Sequence, residues 1–198
     1  MRLSIAHVVV VLALVAGLPG CQTGSTPTAG ASTVSVFLTD APLDLDGVHA
    51  VNVTLSGLVL YPTQAASGDE GGLEFESGPI SVPGGLTLNL LDFRNGQVTF
   101  LGSQSVPAGS YGRLRLLVVS AELVHDDDGD PATPDIAEPI TVPSGKVDVL
   151  VPFELPAGES VTMTIDFDAQ ASVQVNTTNG RDAYLLRPVI NLAGLKAS

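Results

Sequence analysis

The densest run of side chains able to do chemistry is HDDDGDPATPD, residues 125–135. It offers Asp126, Asp127, Asp128, Asp130 and Asp135 around Gly129. Calcium takes six to eight oxygens on a flexible loop, and clustered Asp near a Gly turn supplies them. Asp126, Asp128 and Asp130 alternate like the first half of an EF-hand-like or dockerin-like loop, and with Asp135 they form the candidate calcium ligands. The register is imperfect. Counting from Asp126 puts Pro131 where the loop should turn on Gly; counting back from Gly129 makes Val124 the first ligand, although Asp135 then falls at the twelfth. The plainer reading is a solvated acidic turn. His125 adjoins this run and is a candidate transition-metal ligand, although a lone His beside a turn is ordinarily just exposed.

Asp166 and Asp168 form a second group. On one strand face they stand about 7 Å apart, two residues of strand rise. Glycosidase carboxylate pairs lie about 5 to 9.5 Å apart, so hydrolysis is one reading. The stronger expectation is structural: Arg113 and Arg115, likewise two residues apart, pair with Asp166 and Asp168 across a sheet. Asp40 in LTDAP reads as a turn former. No Gly-x-Ser-x-Gly elbow exists, PSGK (143–146) reads as a hairpin turn, and no catalytic residue is assigned.

The single cysteine, Cys21, is the third group. Arg2 precedes a run from Ile5 to Ala16 that is apolar except for His7. That run is about 12 residues, short of the roughly 20 a membrane-spanning helix needs, and reads as a secretory leader. The run Leu18-Pro19-Gly20-Cys21 resembles a bacterial lipobox: an aliphatic residue, a variable one, a small one, then the cysteine that takes the lipid. The resemblance implies acylation, palmitate included, of Cys21 after cleavage behind Gly20, giving a membrane partner through lipid. Gln22 in the following position implies the outer membrane in a two-membrane cell envelope. A disulfide would need a second cysteine.

These assignments divide the chain into a signal peptide (1–20), a lipidated Cys with a small, uncharged tether (21–32), and one domain (33–198). The formal charge is −13, and removing Arg2 with the leader makes it −13 − 1 = −14. Such a charge excludes nucleic acid as a partner and is compatible with a cation, a protein or a glycan. The absence of Trp and the presence of three Tyr make an aromatic sugar platform poor.

Alternation of apolar and polar residues recurs where these groups must be positioned. Val161, Met163, Ile165 and Phe167 share one face, and Thr162, Thr164, Asp166 and Asp168 the other. Similar runs occur at 34–39, 50–61, 86–91, 97–102, 113–124, 139–142, 147–153 and 183–192. Asn95-Gly96 marks a hairpin, and VPAGSYG (106–112) and LPAGESV (155–161) repeat a Pro-Ala-Gly turn before a strand. Nine or ten short strands predict an all-β fold, a two-sheet antiparallel β-sandwich of Ig-like or transthyretin-like architecture.

Seven phrases in order carry a resemblance: VSVFLTDAP (34–42), AVNVTLSGLVLY (50–61), LTLNLLDFRNG (86–96), VPAGSYGRLRLLV (106–118), ITVPSG (140–145), IDFDAQASV (165–173) and YLLRPVI (184–190). Together they resemble the prokaryotic secreted lipoprotein domains described as domain of unknown function 4382. The resemblance implies a β-sandwich, often lipid-anchored, with no catalytic residues to carry over. HDDDGDPATPDIAEP is longer and more acidic than the short turn the resemblance implies there. The expected role is non-enzymatic binding or structure outside the cytoplasmic membrane, with calcium-dependent adhesion or carbohydrate binding as the alternative.

Overall fold

The structure, a computed structural model, describes residues 31–40, 47–64, 70–126, 135–178 and 181–198. Twelve strands run through them: β1 (Ser32–Thr39), β2 (Val48–Pro62), β3 (Leu73–Glu74), β4 (Leu86–Asn89), β5 (Thr99–Val106), β6 (Gly109–His125), β7 (Ile136–Thr141), β8 (Lys146–Leu155), β9 (Ser160–Asp168), β10 (Val173–Thr178), β11 (Arg181–Leu186) and β12 (Val189–Ala197). A single helical turn, α1 (Ala169–Ser172), separates β9 from β10. Among the described residues no helix is long and apolar enough to cross a membrane.

The strands form two sheets. The smaller has the order β12-β9-β1-β5; the larger runs β10-β11-β7-β6-β2-β3, with β4 on β2 and β8 on β6. The alternation read from the sequence sets which face each strand buries. Val34, Val36 and Leu38 of β1 and Met163, Ile165 and Phe167 of β9 are fully buried, as are Leu60, Leu114, Leu116 and Val151 opposite them. Each large side chain removed from water stabilises the sandwich by about 1.5–3 kcal/mol.

Four expectations need correction. The sheets are mixed, because β1 runs parallel to β9 and β11 parallel to β7. A period of two reports a buried face and carries no information about strand direction. Asn95-Gly96 does make a tight turn, with φ of 60° and 80° and Gln97 N–H donating to Arg94 C=O at 3.3 Å. Yet it joins β4, which pairs β2, to β5, which pairs β1, so its flanks lie in different sheets. PSGK is no hairpin turn either. β7 lies along residues 121–125 of β6 and β8 along residues 109–117, so the two are successive stretches on one edge of the same strand. Finally, residues 183–192 divide into β11 and β12 around Arg187-Pro188, where the chain passes from one sheet to the other. Proline lacks the N–H that a continuing ladder would need.

Both Pro-Ala-Gly turns have one task. The first carries the chain from β5 to β6 and the second from β8 to β9, each time between sheets. The second closes with Glu159 N–H donating to Pro156 C=O at 3.3 Å, with Gly158 at φ 79°. In the first, Tyr111 is buried and its hydroxyl donates to Pro107 C=O at 2.7 Å.

Candidate functional site

The stem of the acidic hairpin is where titratable side chains gather beside a pocket. β6 ends at His125 and β7 begins at Ile136, opposite one another in register. Both legs are tied to the start of β2. Asp126 N–H donates to Gly47 C=O at 3.0 Å on one leg. On the other, His49 Nδ1 lies 2.7 Å from Asp135 Oδ2. That hydrogen bond and the negative charge of Asp135 raise the pKa of the exposed His49 imidazole above 6.5.

His125 turns the other way. Its Nε2 is buried and has no hydrogen-bond partner, and Glu138 Oε1 stands 3.9 Å from it, beyond hydrogen-bonding reach. Its ring stands 6.3 Å from that of Tyr184 on β11, tilted by 52°. Beside it opens a pocket of about 210 Å³, lined by Val48, Leu123, Val173, Val175 and Tyr184, with His125 and Asp126 as its polar members and Gly47 at the edge. Its lining side chains come from β2, β6, β10 and β11, and Val175 of β10 is exposed.

Of the candidate calcium ligands, Asp128 and Asp130 lie outside the described residues, as do Asp127, Cys21, the leader and most of the tether. Asp126 and Asp135 flank the same stem, and Asp135 is held by His49. Among the described residues no group of three or more His, Cys, Asp or Glu side chains converges as a metal would require.

A second acidic group forms where β1 and β9 end. Asp40 is 3 % exposed, and its Oδ1 accepts Ala169 N–H at 3.0 Å while its Oδ2 is buried without a hydrogen bond. Burial, helped by the charges of Asp166 and Asp168, raises its pKa from 3.8 to about 6, against the opposing pull of the Ala169 N–H and of Arg94. Asp168 Oδ1 accepts Ala171 N–H at 2.8 Å, making it the N-cap of α1. Asp40 and Asp168 thus satisfy two backbone donors of one turn. Four pockets on the described surface, the hairpin-stem pocket included, are lined by other residues than Asp40, Asp166 and Asp168.

The family model for the domain of unknown function DUF4382 matches residues 31–188, well over half of the chain. The chain belongs to the DUF4382 family. No curated protein matches it. Among solved structures it is similar to a "putative cell adhesion protein" from Bacteroides eggerthii, at 12% identity and a TM-score of 0.30, over 82% of this chain and 57% of that one. The chain therefore spans under two thirds of that protein's length, and a likeness this distant says nothing of activity.

Several of the phrases that carried the family resemblance meet in this DUF4382 domain at the β1 and β9 end: Asp40, Arg94, Asp166 and Asp168 come from three of them. The expected pairing of Arg113 and Arg115 with Asp166 and Asp168 is wrong. β6 and β9 belong to different sheets, so no cross-strand register joins them. The arginines close instead on Asp148 of β8, which lies opposite Arg115. Arg115 bonds it through Nε (2.6 Å) and Nη2 (2.9 Å), and Arg113 through Nη1 (3.1 Å). Arg113 Cζ also stands 4.0 Å from the Tyr61 ring centroid. These bonds, Arg115 foremost, lower the Asp148 pKa. Asp148, Tyr61, Glu138 and Tyr184 were not site residues by sequence. Asp148 is legible as an outward residue between Val147 and Val149, but only strand order shows that β8 lies beside β6.

Proposed function

We propose that this chain is a lipid-anchored, extracytoplasmic binding domain without catalytic activity, whose ligand enters at the hairpin stem. The observation that carries the binding role is the pocket lined by Leu123, Val48, Val173, Tyr184 and His125, whose buried Nε2 has no hydrogen-bond partner. A concave, mainly apolar site with one or two placed polar groups is what small-ligand and side-chain recognition requires. The anchor rests on Leu18-Pro19-Gly20-Cys21 and the uncharged residues that follow. In the second acidic group, Asp40 and Asp168 have structural partners in the α1 turn, which favours a non-catalytic reading.

Two measurements test this. Cys21→Ser should move the protein from the membrane to the soluble extracytoplasmic fraction; unchanged membrane retention would refute the anchor. A fragment library screened by amide chemical-shift changes should give hits that cluster on Leu123, Val173, Val175 and Tyr184. Hits scattered over the surface, or none, would refute the binding end.

A further inference from the structure

We infer that the hairpin-stem pocket takes a primary ammonium on an aliphatic stem, the lysine side chain of a partner polypeptide. The inference rests on the binding role proposed above and names its ligand class. Three features of the pocket point to it. Its walls are apolar: Val48, Leu123, Val173, Val175 and the Tyr184 ring surround about 210 Å³. That is room for a four-carbon stem, which lysine buries along apolar surface while its charge stays at a polar rim.

The second feature is a polar pair beside the pocket. His125 Nε2 is buried without a hydrogen bond, and Glu138 Oε1 lies 3.9 Å from it. A donor nitrogen at about 2.9 Å from each would close that gap with ordinary hydrogen-bond lengths. A neutral imidazole accepts through its unprotonated nitrogen, and an ammonium brings three donors and no acceptor. A buried polar atom left without a partner carries a desolvation cost that such a donor removes.

The third feature is charge. Asp126 lines the pocket, Glu138 lies 3.9 Å from the ring nitrogen of the lining His125, and Asp135 is at the other leg of the stem. The chain as a whole carries −13. A carboxylate or phosphate would meet repulsion here, whereas a basic partner would be steered toward this end.

The test uses the 15N-labelled full chain carrying Cys21→Ser and two probes, N-acetyl-lysine methylamide and its norleucine counterpart, which has the stem without the ammonium. The lysine probe should shift the amides of Leu123, Val173 and Val175 and bind about tenfold tighter than the norleucine probe, equivalent to about 1.4 kcal/mol. His125→Phe, which keeps an aromatic ring and removes the nitrogen, should bring the two probes to equal affinity. Glu138→Gln should reduce the preference as well, and it carries the comparison if His125→Phe fails to fold. Equal binding of both probes to the unsubstituted pocket overturns the ammonium assignment and leaves the binding role standing. No response to either probe at these amides overturns both.

Discussion

Asp148 receives Arg115 as a two-pronged pair, Nε on Oδ1 at 2.6 Å and Nη2 on Oδ2 at 2.9 Å. Arg115 also reaches the Tyr61 hydroxyl at 3.3 Å, and its side chain is 8% exposed. Little water is therefore available to the Arg115 guanidinium. Asp148→Asn should destabilise the domain by about 2 kcal/mol in denaturant unfolding, less than for a fully buried pair because Asp148 itself is partly solvated. Arg115→Lys should not restore stability, since an ammonium cannot present two parallel donors. The Asp148 pKa is lowered, so its contribution is present above about pH 4 and is lost as pH falls through the folded-state value. A substitution that leaves the urea midpoint unmoved would show that solvent screens the pair.

Gly72 lies directly over the same group. A Cβ there would fall 2.5 Å from Val59 Cγ1 and 2.8 Å from Tyr61 Cε1. Gly72→Ala should lift the strand β3 segment off β2, cost about 1–3 kcal/mol, and raise amide exchange at Leu73 and Glu74. Unchanged exchange at those two residues would contradict the packing.

Asp40 makes the opposite pH contribution from Asp148. Its folded-state pKa of about 6 lies above the unfolded value of 3.8, so its contribution to stability is fully present below about pH 4 and lost as pH rises through about 6. Asp40→Asn keeps an oxygen for Ala169 N–H and removes the buried charge. The variant should be about 1–2 kcal/mol more stable than the parent at about pH 7.5 and no more stable at about pH 4. A stability difference that does not change between those conditions would disprove a titrating Asp40.

His49 should titrate above the ordinary imidazole range in an NMR pH series, and Asp135→Asn should return it there. Its folded pKa is raised, so the tie to Asp135 is fully present below about 6.5 and is lost as pH rises through the folded value. The melting-temperature deficit of His49→Gln should therefore be largest near about pH 6 and vanish by about pH 9. A deficit that persists at the higher pH would mean that the imidazole packs and does not pair.

Much of the fold is legible in the residues alone. The alternation in VTMTIDFD places Met163, Ile165 and Phe167 in the core and leaves Thr164 and Asp166 on the other face, and the structure agrees. Val173 and Val175 alternate with Gln174 and Asn176 too briefly to announce β10 by themselves, and the strand forms as the partner of β11. Asn95-Gly96 bends the chain because both residues accept positive φ. What that bend connects depends on pairings set elsewhere. PSGK failed for the same reason: a local turn signal does not say whether the next strand returns along its neighbour or continues past it.

The candidate site divides along the same line. Residue order alone made His125, Asp126 and Asp135 neighbours of one turn, and it made Arg113 and Arg115 point the same way from one strand. These are short-range consequences of chain geometry. Only the tertiary structure brought His49 to Asp135 across 86 residues, set Tyr184 beside His125, and gave the arginines Asp148 in place of Asp166. The period of a strand determines which side of a sheet a side chain occupies. Which strand lies alongside follows from burying the apolar faces of the whole chain at once, and that is a property no short stretch of residues contains.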